Sequence, residues 1–198
     1  MLERDMDVEL GLVAGRTCGS CNVCCVALTI NDPQLQKLQG HRCRNARLDN
    51  SCAIYETRPE TCRTFYCGWR RLKWIRETLR PDNSGVLVRL HGENAAEDST
   101  TPRFGVIFTL LNTAALKAEG LAESVAAGVA ANVPVYLHIP GPPGRTDAQV
   151  QINEVLEGAV LTKDKPAVLQ ILARIRRRGR SLPHEAVVLK SRTDGGAP

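Results

Sequence analysis

The spacing of apolar residues changes character near Pro81. Before it, hydrophobic positions come in short, interrupted runs. Leu2, Met6, Leu10 and Val13 recur at helical spacing, with Gly15 as a stop; a frayed tail fits the same residues. Val26–Ile30 reads as a short strand or a helix start. Asn31-Asp32-Pro33 reads as a helix start, leading a helix over 34–39 that turns Leu35 and Leu38 inward and stops at Gly40. Thr57-Arg58-Pro59-Glu60 opens another predicted helix, carrying Cys62, Phe65 and Cys67 and continuing through Trp69, Leu72 and Ile75. Pro81-Asp82-Asn83-Ser84-Gly85 is the clearest break.

After it the periods become regular. Val86, Val88 and Leu90 alternate as in a half-buried strand, and Phe104–Phe108 reads as a second strand beyond a polar loop at Gly92–Pro102. Leu121, Val125 and Val129 mark an amphipathic helix from about Leu116 to Ala131. Val133, Val135, Leu137 and Ile139 alternate as a third strand, and Pro134 near its start points to an edge position. Ile152, Val155, Leu156 and Ala159 mark a helix begun near Thr146-Asp147. Val168, Ile171, Leu172 and Ile175 mark the next, with Lys165-Pro166 at its start. The resulting expectation is an α+β protein in two parts: a loop-rich region over 1–81, a sheet-and-helix region over 82–191, and a disordered tail over 192–198.

Composition adds little until the cysteines are placed. The chain has 198 residues, 43% of them hydrophobic, which permits a folded core. Aromatics are only 4%, so that core must rest on aliphatic side chains. A net charge of +5 permits anionic partners without requiring them. The acidic start Met1–Asp7 lacks the apolar region of a secretory signal, and no run approaches the ~20 apolar residues of a membrane span. A cytoplasmic protein with no membrane partner is therefore expected.

All eight cysteines lie in one stretch: Cys18, Cys21, Cys24, Cys25, Cys43, Cys52, Cys62 and Cys67. In a reducing compartment such density reads as metal ligation in preference to disulfides. The turn residues Gly19, Ser20 and Asn22 let backbone N–H groups face sulfur. Cys24 and Cys25 are adjacent, and neighbouring side chains diverge, so the pair is expected to split between two metals or between a cluster and a nearby site. Eight thiolates supply two four-ligand sites. Zinc and an iron–sulfur cluster both suit tetrahedral sulfur. Zinc-ribbon, c-type haem, thioredoxin-like and bacterial ferredoxin spacings all fit poorly.

Two Cys₄ zinc sites would each carry a charge of about −2. Arg42, Arg44, Arg58, Arg63, Arg70 and Arg71 are placed to compensate it, or to form an ordinary solvated face. His41 is a possible ninth ligand, though a non-ligand role is preferred. His91, His138 and His184 read as structural or surface residues, and Trp69 and Trp74 as packing or shielding residues.

The run Cys18-x-x-Cys21-x-x-Cys24-Cys25, followed by Cys52-Ala53-Ile54-Tyr55, Arg58-Pro59, Cys62-Arg63, Phe65, Cys67 and Trp69, resembles the CxxCxxCC cysteine-cluster family, YkgJ-like proteins described as zinc- or iron-chelating. His41 and Cys43 sit where that family often has a further Cys-containing segment. The resemblance covers about residues 17–70 and implies metal or iron–sulfur binding. Some members are labelled iron–sulfur oxidoreductases, and flagellin lysine methylases look related.

Arg174, Arg176, Arg177, Arg178 and Arg180 crowd the end of the last helix. They complement its dipole; the sharper alternative is a contact for an acidic protein or nucleic acid. Three function classes follow: a protein that holds zinc or an iron–sulfur cluster, an iron–sulfur-dependent oxidoreductase or group-transfer enzyme, and a metal-scaffolded interaction module. The first is preferred because ligands are visible and catalytic residues are not. No Ser–His–Asp arrangement, carboxylate pair or phosphate loop stands out, and a closed all-cysteine site disfavours hydrolytic zinc chemistry.

Overall fold

The computed structural model describes residues 11–91 and 105–189. The expected helix through Leu2, Met6 and Leu10, the loop over 92–102, Phe104 and the tail over 192–198 lie outside them.

The described residues form an α+β fold with one four-stranded sheet and one two-stranded sheet. The larger sheet has β3 (Val86–His91), β4 (Gly105–Leu110), β5 (Val135–Ile139) and β6 (Ala148–Gln151) in that spatial order. The β4–β5 pair is parallel and its two flanking pairs are antiparallel. A parallel pair needs a crossover, and α5 (Leu121–Ala130) supplies it. Helices α6 (Asn153–Leu161) and α7 (Lys165–Arg180) follow β6.

Period-two alternation sorts this sheet into two faces. On one, Val88, Phe108 and Leu137 stand in register across three strands, flanked by Val86 with Leu110 and by Leu90 with Val106 and Val135. These residues, together with Leu121, Val125, Leu156, Val168 and Leu172 from the helices, make the main core. On the other face Thr109 and His138 are register partners. β4 is buried on both faces, as an internal strand with a parallel neighbour should be. α7 comes close to β5: a Cβ on Gly179 would lie 2.6 Å from Ile139 Cδ1, which only glycine avoids.

Several expectations are corrected. Residues 34–39 are not helical. Ile30–Asp32 (β1) and Leu35–Lys37 (β2) form an antiparallel hairpin, and Asp32 Oδ1 accepts from the Gln34 amide at 2.9 Å to close its turn. The side-chain oxygen that caps a helix equally closes an Asx turn, and six residues before a glycine are too few to sustain a helix alone. The long helix from Glu60 breaks into α2 (Glu60–Thr64) and α3 (Gly68–Arg71), because Phe65 and Cys67 are extended. β5 is interior, not an edge. Pro134 precedes it, and the Pro134 carbonyl accepts from Val106 N at 2.8 Å. Residues 148–151 form the edge strand β6, so the helix expected from Thr146 begins only at Asn153.

The break at Pro81 is itself ordered. Pro81–Ser84 make a helical turn (α4), closed by Gly85 at φ +69°. Trp69, Leu72, Ile75 and Leu79, all before it in sequence, belong to the same core as the sheet. α1 (Cys24–Ala27) is the only helical turn among the described residues of the first cysteine run. No helix among the described residues is long and apolar enough to cross a membrane.

Candidate thiol site

The eight cysteines are all free thiols. Cys43 is buried, Cys18 exposed and the other six half-buried. Short backbone links bring their segments together. Cys43 N donates to Cys25 O at 2.8 Å, and Gly40 N to Val26 O at 2.9 Å, so the second segment lies along α1. Ala46 bridges antiparallel to Cys52, closing a small loop between Cys43 and Cys52. Asn22 Nδ2 donates to Asn50 Oδ1 at 2.9 Å, tying that loop back to the first run.

Arg16 holds the opposite side. Its guanidinium donates to the carbonyls of Trp69 (2.6 Å), Leu72 (3.1 Å) and Ile75 (2.7 Å), along the end of α3 and the turn that follows it. Cys67 precedes α3 and Cys18 follows Arg16, so this clamp sets the two cysteines near each other. Arg70 Nη1 lies 3.5 Å from Cys18 Sγ, and Arg80 Nη2 donates to Cys18 O at 2.9 Å.

The thiols fall into two electrostatic neighbourhoods. Cys62 feels Cys25, Cys43 and Cys52. Cys67 feels Cys18, Cys21 feels Cys67, and Cys24 feels Cys21 and Cys18. Burial pushes the thiols of Cys21, Cys62 and Cys67 upward. Backbone N–H groups of Val23 and Asp82 oppose this at Cys21, and those of Arg70 and Trp69 oppose it at Cys67. Cys24 and Cys25 join the two groups. The Cys24 thiol donates to Cys25, and Lys37, Arg42 and Arg58 add positive charge, bringing Cys25 down to about 6 despite its burial. Cys24, as the donor and a buried group, is pushed up. Among the described residues no three His, Cys, Asp or Glu side chains stand close enough together to hold a metal ion as they are.

Lys37 is the residue that sequence reasoning missed. It is only 8% exposed. Its ammonium donates to the carbonyls of Val26 and Leu38, each at 3.2 Å, and closely to that of Leu28. Burial lowers its pKa, while Cys43, Cys25, Cys24 and Cys62 act to raise it. It is a resident cation among thiols. The only sequence signal was a lysine on the inward register of a hairpin, and that register was hidden by the helix reading.

Five of the six arginines named from sequence divide by what they touch. Arg42 and Arg58 act on Cys25, and Arg70 reaches Cys18. Arg58 also stacks over Tyr55 at 4.0 Å. Arg44 is occupied with the Gln34 carbonyl at 3.1 Å, and Arg63 is exposed at the end of α2. Trp69 is a core residue whose indole N–H donates to Glu77 O at 2.9 Å, and Trp74 packs against the same core.

The histidines outside the run are held structurally. His138 Nε2–H donates to Asp147 Oδ2 at 3.0 Å, and Nδ1 lies 3.2 Å from Thr109 Oγ1. The triad-like order is not a hydrolase site, because Thr109 is only 2% exposed. His184 Nδ1 donates to Thr146 O at 2.7 Å, and His91 lies tilted against Tyr136 with ring centroids 4.9 Å apart. His41 is exposed beside Gly144. In the basic run of α7, Arg176 is a correction: it is 7% exposed, with Nη1 3.2 Å from Thr113 Oγ1. Arg174, Arg177, Arg178 and Arg180 remain exposed.

Neither a protein-family model, nor a curated protein, nor a solved structure matches the chain.

Proposed function

We propose that the chain is a thiolate metal-binding protein of the CxxCxxCC type, acting in the reducing cytoplasm and holding zinc or an iron–sulfur cluster. Cys18, Cys21, Cys24 and Cys67 form one ligand set. Cys25, Cys43, Cys52 and Cys62 form the other. The observation that carries this reading is the gathering of eight free thiols into two neighbourhoods, Cys62 with Cys25, Cys43 and Cys52, and Cys67 with Cys18 and Cys21, joined where the Cys24 thiol meets Cys25. Four free thiols per set is a donor chemistry suited to either group.

The thiols are neighbours short of ligand geometry, so binding draws them inward. Loop-rich cysteine segments commonly gain their final form this way, with ligand deprotonation coupled to folding. Lys37, Arg42 and Arg58 stabilise thiolate at Cys25, and the Arg70 guanidinium lies 3.5 Å from Cys18 Sγ. Bound zinc would serve as a closed structural centre, and a bound cluster would supply electron transfer.

The test is anaerobic purification with measurement of iron, zinc, labile sulfide and the visible spectrum, on wild type, Cys24→Ser and Cys25→Ser. Two metal centres in the wild type, with one lost from each variant, is the expected result. Metal-free protein on both zinc and iron–sulfide reconstitution would overturn the reading.

A further inference from the structure

Lys37 is a buried cation without a carboxylate partner. It is 8% exposed, and no acidic side chain pairs with it among the described residues. Its hydrogen bonds go to three carbonyls, those of Val26, Leu28 and Leu38. A neutral amine has only two N–H groups, so three acceptors hold the side chain as an ammonium. Burying a charge is costly unless an opposite charge offsets it. Carbonyl dipoles offset part of that cost. The charged forms that act to keep Lys37 protonated are those of Cys43, Cys25, Cys24 and Cys62. A neutral thiol offsets little, whereas a thiolate supplies a full opposite charge.

The two thiol sets differ in this respect. Beside the first set, Arg16 and Arg70 are only half-buried, and Glu77 acts on Arg16 ahead of Cys67. Asp82, itself 3.1 Å from Arg80 Nε, acts against thiolate at Cys21. Beside the second set, Lys37 comes ahead of Arg42 and Arg58 among the cations that favour thiolate at Cys25, and Arg42 is exposed. Salt screens a charge at the surface and screens one held inside far less. Four thiolates around one zinc ion leave a net charge of about −2. The second set meets that charge with a fixed interior cation.

We propose that Lys37 is the resident counter-ion of the second set, and that it makes Cys25, Cys43, Cys52 and Cys62 the tighter zinc site, filled before Cys18, Cys21, Cys24 and Cys67. Lys37 is not a ligand, because its N–H groups are spent on carbonyls. It acts through the charge that those bonds hold in place. The assignment rests on the metal reading above and adds to it an order of filling.

The test is anaerobic zinc titration of the full chain against a chromophoric chelator. Cys21→Ser leaves the second set intact, and Cys62→Ser leaves the first. The expected result is zinc binding at least ten-fold tighter in Cys21→Ser than in Cys62→Ser. Adding Lys37→Met or Lys37→Gln to Cys21→Ser should weaken binding by about ten-fold or more, the usual cost of removing a group that supports metal ligands. Adding either to Cys62→Ser should change it less than about two-fold. Lys37→Gln keeps amide donors for the carbonyls without the charge, so a similar loss in both variants marks the charge. A loss in Lys37→Met alone, or one that follows the urea midpoints of the metal-free variants in both sets, marks a structural role and overturns the proposal. So does tighter binding by the first set. Two zinc sites indifferent to Lys37 overturn the counter-ion and leave the metal reading standing; zinc uptake by neither set overturns both.

Discussion

Arg16 and Trp69, 53 positions apart, are joined by a 2.6 Å hydrogen bond from the Arg16 guanidinium to the Trp69 carbonyl. The same guanidinium lies 5.4 Å from the indole centroid and binds two further carbonyls. Hydrogen bonds from a charged donor contribute roughly 1.5–3 kcal/mol. Arg16→Ala should therefore lower stability by about 2–3 kcal/mol, read as a shift in denaturant midpoint. It should also slow metal uptake by the Cys18–Cys67 set while leaving the other set unaffected. Arg16→Lys, a point charge without the planar fork, should recover only part of the stability.

Lys37 makes three carbonyl hydrogen bonds from a nearly closed position. Lys37→Met keeps the apolar stem but removes the ammonium from Leu28 O and takes one of two donors from Val26 O and Leu38 O, which also accept from Gly40 N and His41 N. A loss of about 1–3 kcal/mol follows from the acceptor left unsatisfied. Equilibrium urea unfolding of the metal-free protein measures it directly; a change within about 0.5 kcal/mol, the usual size for a surface position, would show that the ammonium bonds are dispensable.

Cys25 has the lowered thiol of the adjacent pair, at about 6. In metal-free protein it should be the first cysteine alkylated by iodoacetamide at pH 7, and its rate should fall steeply only below about pH 6. Peptide mapping after brief labelling ranks the eight sites. Faster labelling of Cys24 would reverse the donor and acceptor of the pair.

Asp147 titrates below the ordinary carboxylate value. Burial alone would raise it, but the His138 hydrogen bond, the Gly141 amide and the charges of His138 and Arg89 outweigh that effect. Because the folded value is the lower one, the unfolded chain takes up the proton first as pH falls. The stabilisation is complete above about pH 4 and disappears as pH drops through the folded value. Asp147→Asn should therefore be less stable than wild type at pH 7, and the gap should close toward pH 3. A gap of constant size would mean that folding does not lower the Asp147 carboxyl.

The core offers a control independent of the site. Phe108 is fully buried between Val88 and Leu137. Phe108→Ala should cost about 3–5 kcal/mol in thermal or denaturant unfolding, as large aromatic truncations in cores do.

Local pattern alone determined a good part of this protein. The alternations at Val86–Leu90 and Val133–Ile139, and the helical spacing of Leu121–Val129 and Val168–Ile175, identified real elements because each buries one face, and burial imposes the period. The concentration of the eight cysteines in one stretch was also legible in the sequence, and all eight are free thiols. Tertiary structure decided the rest. Asp32-Pro33 closes a hairpin because its partner Leu35–Lys37 pairs back on it, and the same residues would cap a helix given a longer amphipathic run. β5 is interior because β6 pairs with it, a fact carried by Ala148–Gln151 and invisible at Pro134. The hydrogen bond between the adjacent Cys24 and Cys25 thiols was not expected from their diverging side chains, and the arrival of Lys37 and Arg16 beside the thiols depends on contacts between segments far apart in sequence. No local period encodes these contacts, because their driving force is pairing across space and not burial along one element.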